Sequence, residues 1–133
     1  MNISSFSFNN NKTFIIAELS ANHNHNFDIA VKTILAAKQA GADAIKLQTY
    51  TADTITIDCD NDFFQIKHGS LWDGTTLYKL YQQAYTPWEW QPELKRIAEA
   101  EGLICFSSPF DNSAVDFLEK IDVPAYKIAS FEI

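Results

Sequence analysis

The sequence predicts an α/β fold, the N-terminal half of a (β/α)8 TIM barrel, and three observations carry that expectation. Short apolar runs alternate with helical stripes, the links from helix to the next run pass through Gly41 and Gly102, and no glycine-rich phosphate loop follows any run. Strand–helix–strand order with such short links marks a parallel βαβ unit with a right-handed crossover. The missing glycine-rich loop sets aside the open dinucleotide-binding sheet in favour of the closed barrel. A complete barrel takes about 250 residues. The chain has 133 and reaches its end just after a fourth apolar run, so a fragment of roughly half a barrel is expected.

The elements follow in order. Residues 1–13 are polar and read as an N-terminal extension, with the partial barrel domain over 14–133. Phe14 to Leu19 reads as a first strand buried on both faces, leading into the polar loop Ser20 to Asn26. Phe27, Ala30, Val31, Ile34, Leu35 and Ala37 recur at helical spacing, and Gly41 stands where a left-handed helix terminus favours glycine, so 27–40 is expected to be helical. Asp43 to Gln48 is the second strand. A second helical stripe, Trp90, Leu94, Ile97, Ala98 and Glu101, closes at Gly102 and leads to Leu103–Ser107 as the third strand. A third stripe, Ala114, Val115, Leu118 and Ile121, has N-cap candidates in Asp111 to Ser113 and precedes a fourth strand over Val123–Ile128. The stretch from Thr49 to Trp88 exceeds an ordinary βα loop of roughly 2–6 residues. It reads as an elaborated loop with a short helix near Thr75 to Tyr85.

Composition narrows the function classes. With 47% apolar residues, four glycines and four prolines, the chain has the make-up of one globular domain. A net charge of −7 argues against non-specific nucleic-acid binding, which needs clustered Lys and Arg. No run approaches the roughly 18 apolar residues of a membrane span, and the start lacks the form of a signal peptide, so a cytoplasmic location is expected. Cys59 and Cys105 lack CxxC spacing and read as incidental thiols.

In a parallel barrel, functional groups sit at the carboxyl ends of strands. Here those ends carry Glu18 with Asn22, Lys46 with Gln48, Ser107 with Ser108, and Lys127 with Ser130 and Glu132. Lys46 and Gln48 are two apart and share a strand face. An ammonium moved into a barrel interior without a counter-charge costs several kcal/mol, so the two lysines require bound anions or neighbouring carboxylates. Two lysines with hydroxyls and carboxylates at successive strand ends suit a small, multiply charged, phosphorylated ligand. His23 and His25 are weak metal evidence, because a site normally needs three or more convergent ligands. Aromatic rings between Phe63 and Trp90 offer stacking surface for a sugar, although many of them are expected to pack the insertion itself.

Four ordered segments, Ile15–Asn24, Ala40–Thr49, Phe106–Asp111 and Val123–Glu132, resemble the sialic acid (nonulosonic acid) synthase family over about residues 14 to 133. Within it, Leu47–Thr51, Leu71–Gly74 and Ala84–Trp90 look most like members that use a diacetamido-trideoxyhexose. The resemblance implies condensation of phosphoenolpyruvate with an open-chain N-acetylated aminosugar to a nine-carbon acid, with release of phosphate. It implies a divalent metal, Mn2+ or Mg2+, acting as Lewis acid on the sugar aldehyde, with ligands in a later part of the barrel and none within these residues. It also implies a homodimer in the complete protein and a C-terminal antifreeze-like (SAF) domain that this chain lacks, so that these residues alone are not expected to be active. By the same resemblance Lys46, Ser108, Lys127 and Ser130 hold phosphoenolpyruvate, Gln48 and Glu132 contact the sugar, and Glu18 lies near the metal-bound water. Asn22 joins the substrate-binding candidates, and Glu18, Lys46 and Lys127 are the catalytic ones. Two other readings stay open: a Schiff-base aldolase, in which a strand-end lysine is the amine nucleophile, and a non-catalytic phosphometabolite-binding module.

Overall fold

The computed structural model describes residues 2–8, 12–67, 69 and 72–130. Three parallel strands, β3 (Ile16–Glu18), β4 (Ala44–Thr49) and β5 (Ile104–Pro109), lie side by side in that order. Helices α1 (Phe27–Gln39), α4 (Gln91–Ala100) and α5 (Asn112–Lys120) each follow one of these strands. The N-terminus forms a two-residue-per-strand antiparallel hairpin, β1 (Asn2–Ile3) and β2 (Phe6–Ser7), rather than a bare extension.

Each of the three helices ends in the same way. After α1, the amide of Gly41 donates to Lys38 and that of Ala42 to Ala37; after α4, Gly102 donates to Glu99 and Leu103 to Ala98. These paired bonds form a Schellman motif, which needs one residue in the left-handed region, supplied by Gly41 (φ 90°) and Gly102 (φ 72°). After α5 the same bonds form around Asp122 at φ 53°, one of the few side chains that tolerate this conformation locally. The N-termini are capped as the sequence suggested: the Asp111 carboxylate accepts from the amides of Ser113 and Ala114, and the Asn26 side chain accepts from Ile29.

Alternation along the strands divides two cores. Ile45, Leu47 and Cys105 face outward and pack with Leu19, Ile34, Leu94 and Ala98 under α1 and α4. Ala44, Ile104 and Phe106 face inward and meet Ile3, Phe6 and Phe14, so the hairpin closes the amino-terminal end of the inner face. Phe6, Phe8 and Phe14 form an aromatic cluster there, with ring centroids 4.5 to 5.7 Å apart. Cys105 is buried, and burial pushes its thiol up to about 12, which makes it inert packing. It and Cys59 are free thiols.

Two expectations need correction. The first strand is shorter than 14–19 and is not buried on both faces, for Ile15 and Ile16 are 49% and 42% exposed. Its far edge has no partner strand among the described residues. The fourth strand does not form as a ladder: the extended chain touches β5 through a single bridge, Ser107 to Tyr126, with the Lys127 amide donating to the Ser107 carbonyl at 3.0 Å. The reason lies just upstream. The Val123 amide is committed to closing α5 and Pro124 has none, so neither of the first two residues of the expected strand can donate to β5. The insertion carries the expected helix as α3 (Leu77–Ala84), and adds a one-turn helix α2 (Ala52–Ile55) and a 3-10 turn at Trp88–Trp90. No described helix is long and apolar enough to cross a membrane.

Candidate active site at the strand carboxyl ends

The register of the sheet brings the inward-facing polar residues together. Glu18 on β3 lies opposite Lys46 on β4, and Gln48 lies opposite Ser108 on β5. All four line one cavity of about 470 Å3, which Lys127 and Ala129 also border. This volume is within the range of pockets that hold small ligands.

Lys46 is the buried charge. Its side chain is 7% exposed, and its ammonium lies 3.1 Å from Glu18 Oε1, whereas Glu18 is 58% exposed. A solvent-screened carboxylate contributes little to the energy of such a pair, about 0–1 kcal/mol. The ammonium is therefore only partly compensated by protein. Beside it, Ser108 Oγ is fully buried and has no hydrogen-bond partner among the described residues. An unpaired buried hydroxyl costs about 1–3 kcal/mol, so a ligand oxygen at that position would recover it.

Of the residues singled out from sequence, Glu18, Lys46, Gln48, Ser108 and Lys127 thus converge on the cavity. Asn22 and Ser130 stand outside its lining: the Asn22 side chain donates to the Leu19 carbonyl at 3.1 Å within a tight turn, and Ser130 is exposed. Glu132 lies outside the described residues.

Ser107 points away from the cavity into a buried network that sequence reasoning missed. Thr49 Oγ1 donates to Gln91 Oε1 at 2.8 Å and lies 2.7 Å from Ser107 Oγ, whose hydroxyl donates back. Gln91 Nε2 donates to the Gln48 carbonyl, and Trp88 Nε1 to the Tyr50 carbonyl. These bonds fasten the carboxyl ends of β4 and β5 to the start of α4. They hold Gln48 and Ser108, the alternate residues on the same strands, toward the cavity. Also missed were the cavity-lining side chains of the insertion, Tyr50, Ile55, Leu80 and Tyr81; the last two lie on α3, whose helix was visible in the sequence but whose direction was not.

His23 is fully buried and structural. Its Nδ1 accepts the His25 amide at 3.1 Å, so Nε2 carries the proton and donates to Thr86 Oγ1 at 3.0 Å. Both ring nitrogens are occupied. Among the described residues no three of His, Cys, Asp and Glu come together as an ion site. These residues therefore do not fit a divalent-metal centre by themselves. Burial, aided by the nearby His25, holds the His23 imidazole below its ordinary value. Below about pH 6.5 the unfolded chain takes up this proton before the folded one does, so stability falls as the pH drops through that window. Urea unfolding at pH 7.5 and 5.5 is expected to show this loss, and His23→Gln to flatten it. An unchanged slope in the variant would remove His23 as the source.

Residues 33–133 match the NeuB family. The chain belongs to the NeuB family. It is 56% identical over 121 residues to the pseudaminic acid synthase of Campylobacter jejuni and 50% identical over 119 residues to that of Helicobacter pylori. Those alignments cover 91% and 90% of this chain but 35% of each relative, so it spans about a third of the length of the curated relatives it matches. The crystal structure of an N-acetylneuraminic acid synthetase from Leptospira borgpetersenii superposes with a TM-score of 0.74 at 26% identity, over 96% of this chain and 41% of the other. The spore coat polysaccharide biosynthesis protein SpsE of Bacillus subtilis does so at 0.66 and 31% identity, over 96% and 34%. The three strands and their helices in this NeuB-family chain are accordingly the N-terminal part of a (β/α)8 barrel, as the sequence predicted.

Proposed function

We propose that this chain belongs to a pseudaminic acid synthase that condenses phosphoenolpyruvate with 2,4-diacetamido-2,4,6-trideoxy-L-altrose to give pseudaminic acid and phosphate. The observation that carries this reading is a buried ammonium, Lys46, on the same cavity as a buried hydroxyl, Ser108 Oγ, that has no partner among the described residues. Such a cavity fits an anion that is both charged and rich in acceptor oxygens. Identity to two pseudaminic acid synthases at 50% or above supports the choice of sugar.

In this reading Lys46, Lys127 and Ser108 hold the phosphate and carboxylate of phosphoenolpyruvate, with Ser130 nearby. Gln48 and Glu132 contact the sugar, and Glu18 lies near a bound water. The C3 carbon of phosphoenolpyruvate bonds to the aldehyde carbon, water adds at C2, and the C–O bond to phosphate breaks. Fixed cations at the phosphate offset the charge on the leaving group in a site of low dielectric. Mn2+ or Mg2+ belongs to the same proposal, with ligands from outside the described residues, as do a homodimer and a cytoplasmic location.

Phosphate release from phosphoenolpyruvate with Mn2+ and each candidate sugar, measured on the complete enzyme, tests the reading. Turnover with the L-altrose derivative is expected. Turnover only with the precursors of N-acetylneuraminic or legionaminic acid would reassign the sugar. Silence with every sugar, together with borohydride trapping of pyruvate on a lysine, would move the chain to the aldolases. Lys127→Ala is expected to lower kcat/KM for phosphoenolpyruvate by roughly tenfold to a hundredfold, as for loss of a charge-assisted hydrogen bond at a partly exposed site. An unchanged value would remove Lys127 from the phosphate site.

A further inference from the structure

The cavity has two chemically different sides. Its floor is the strand ends, with Glu18, Lys46, Gln48 and Ser108. The rest of its lining is largely apolar and comes mainly from the insertion between β4 and α4, with one ring from the β5 end: Tyr50, Ile55, Trp72, Leu80, Tyr81, Ala84 and Phe110. This wall is stiff. Tyr50 stands edge to face with both Tyr81 and Phe110, at 5.5 Å between centroids in each case. Tyr78 Oη donates to Asp53 Oδ1 at 2.7 Å and ties α3 to α2. Tyr50 is 4% exposed, and burial pushes its hydroxyl up to about 12.

A polyhydroxylated sugar is poorly matched to such a wall, because each hydroxyl pressed against it loses water and gains no partner. Methyl groups lose nothing there and bury apolar surface. A sugar with an exocyclic CH2OH would place one more hydroxyl against Leu80 or Ile55 than its deoxy counterpart does.

We propose that α2 and α3 form a selectivity wall, with Ile55 and Leu80 as specificity-determining residues that favour a deoxygenated, N-acylated sugar over a hydroxylated N-acetylhexosamine. The proposal rests on the synthase reading and adds to it the residues that choose the substrate. It concerns the apolar character of the sugar and not its stereochemistry, because apolar side chains without directed hydrogen bonds read hydrophobicity rather than configuration.

The test compares kcat/KM for the 2,4-diacetamido-2,4,6-trideoxy sugar and for N-acetylmannosamine in the complete enzyme and in two variants, Leu80→Asn and the milder Ile55→Thr. An apolar pocket rejects an added hydroxyl by about a hundredfold, which sets the scale of preference expected for the unaltered enzyme. Each variant is expected to shrink that ratio by about tenfold while the KM for phosphoenolpyruvate stays within about twofold, since the floor is untouched. Equal losses for both sugars, or an unchanged ratio in both variants, would overturn the wall while leaving the synthase reading intact. No phosphate release by the folded, unaltered enzyme with either sugar would instead overturn the synthase reading.

Discussion

Lys46→Met in the complete enzyme is expected to leave the protein folded and to cut kcat/KM for phosphoenolpyruvate by about thirty-fold to a few thousand-fold. The range follows from the roughly 2–5 kcal/mol lost when one partner of a buried, hydrogen-bonded charge pair is truncated, taken at about 1.4 kcal/mol per tenfold. The stability half of the expectation comes from the protein's own pairing. The partner carboxylate of Glu18 is 58% exposed and returns to water when the ammonium is gone, so losing the pair costs about 1 kcal/mol at most. Methionine has nearly the same reach and suits a strand interior beside Phe106, and replacing a buried ion by an apolar side chain is often neutral. Steady-state kinetics and a urea titration on the same preparation check both halves. A variant that binds phosphoenolpyruvate normally but unfolds early would show that the lysine serves the fold through Glu18 and not a ligand.

Leu94→Ala is expected to destabilise the protein by about 2–5 kcal/mol, the usual cost of emptying a buried leucine site. Leu94 is completely buried on α4 and packs with Leu19, Ile34, Ile45 and Leu47, where the first two βα units meet. Because α4 also starts at Gln91, which holds Thr49 and the Gln48 carbonyl, a looser α4 loosens the strand ends. Chemical denaturation gives the stability change. A loss below about 1 kcal/mol would mean that the neighbouring side chains collapse into the space.

The three βα repeats were legible because each signal is local. The helical stripes, the cap at Asp111 and the glycines after α1 and α4 are fixed by nearest neighbours, and all stand where the pattern placed them. Lys46 and Gln48 were legible through strand parity, a rule with period two, whereas Ser108 was named only together with Ser107, which faces the other way. What was not legible depended on contacts between distant segments. Nothing near His23 in sequence announces Thr86 as its partner, 63 positions away. The Thr49, Gln91 and Ser107 network is likewise built from three separate elements. The fourth strand failed for the opposite reason: its apolar pattern was sound, but its first two residues, Val123 and Pro124, have no amide free for a ladder. Asn22 carried the right residue type for a site, yet a bond to Leu19 folds its side chain back on its own turn.

The small hairpin at the start of the chain acts as a stopper in the lower mouth of the barrel. Phe6 and Phe14 plug the space beneath Phe106, which itself sits across from Lys46. The plug keeps water away from the sheet on that side, so a ligand meets the lysine from the side of Glu18 and Gln48, where the cavity lies. Removing residues 2–8 touches no side chain that borders the cavity, yet it would uncover the inner face of the sheet to solvent from below. The lysine's attraction for an anion would then be screened by bulk water, weakening as the local dielectric rises. An affinity tag fused at this end, or a start site chosen a few residues late, would therefore alter the chemistry at the far side of the sheet.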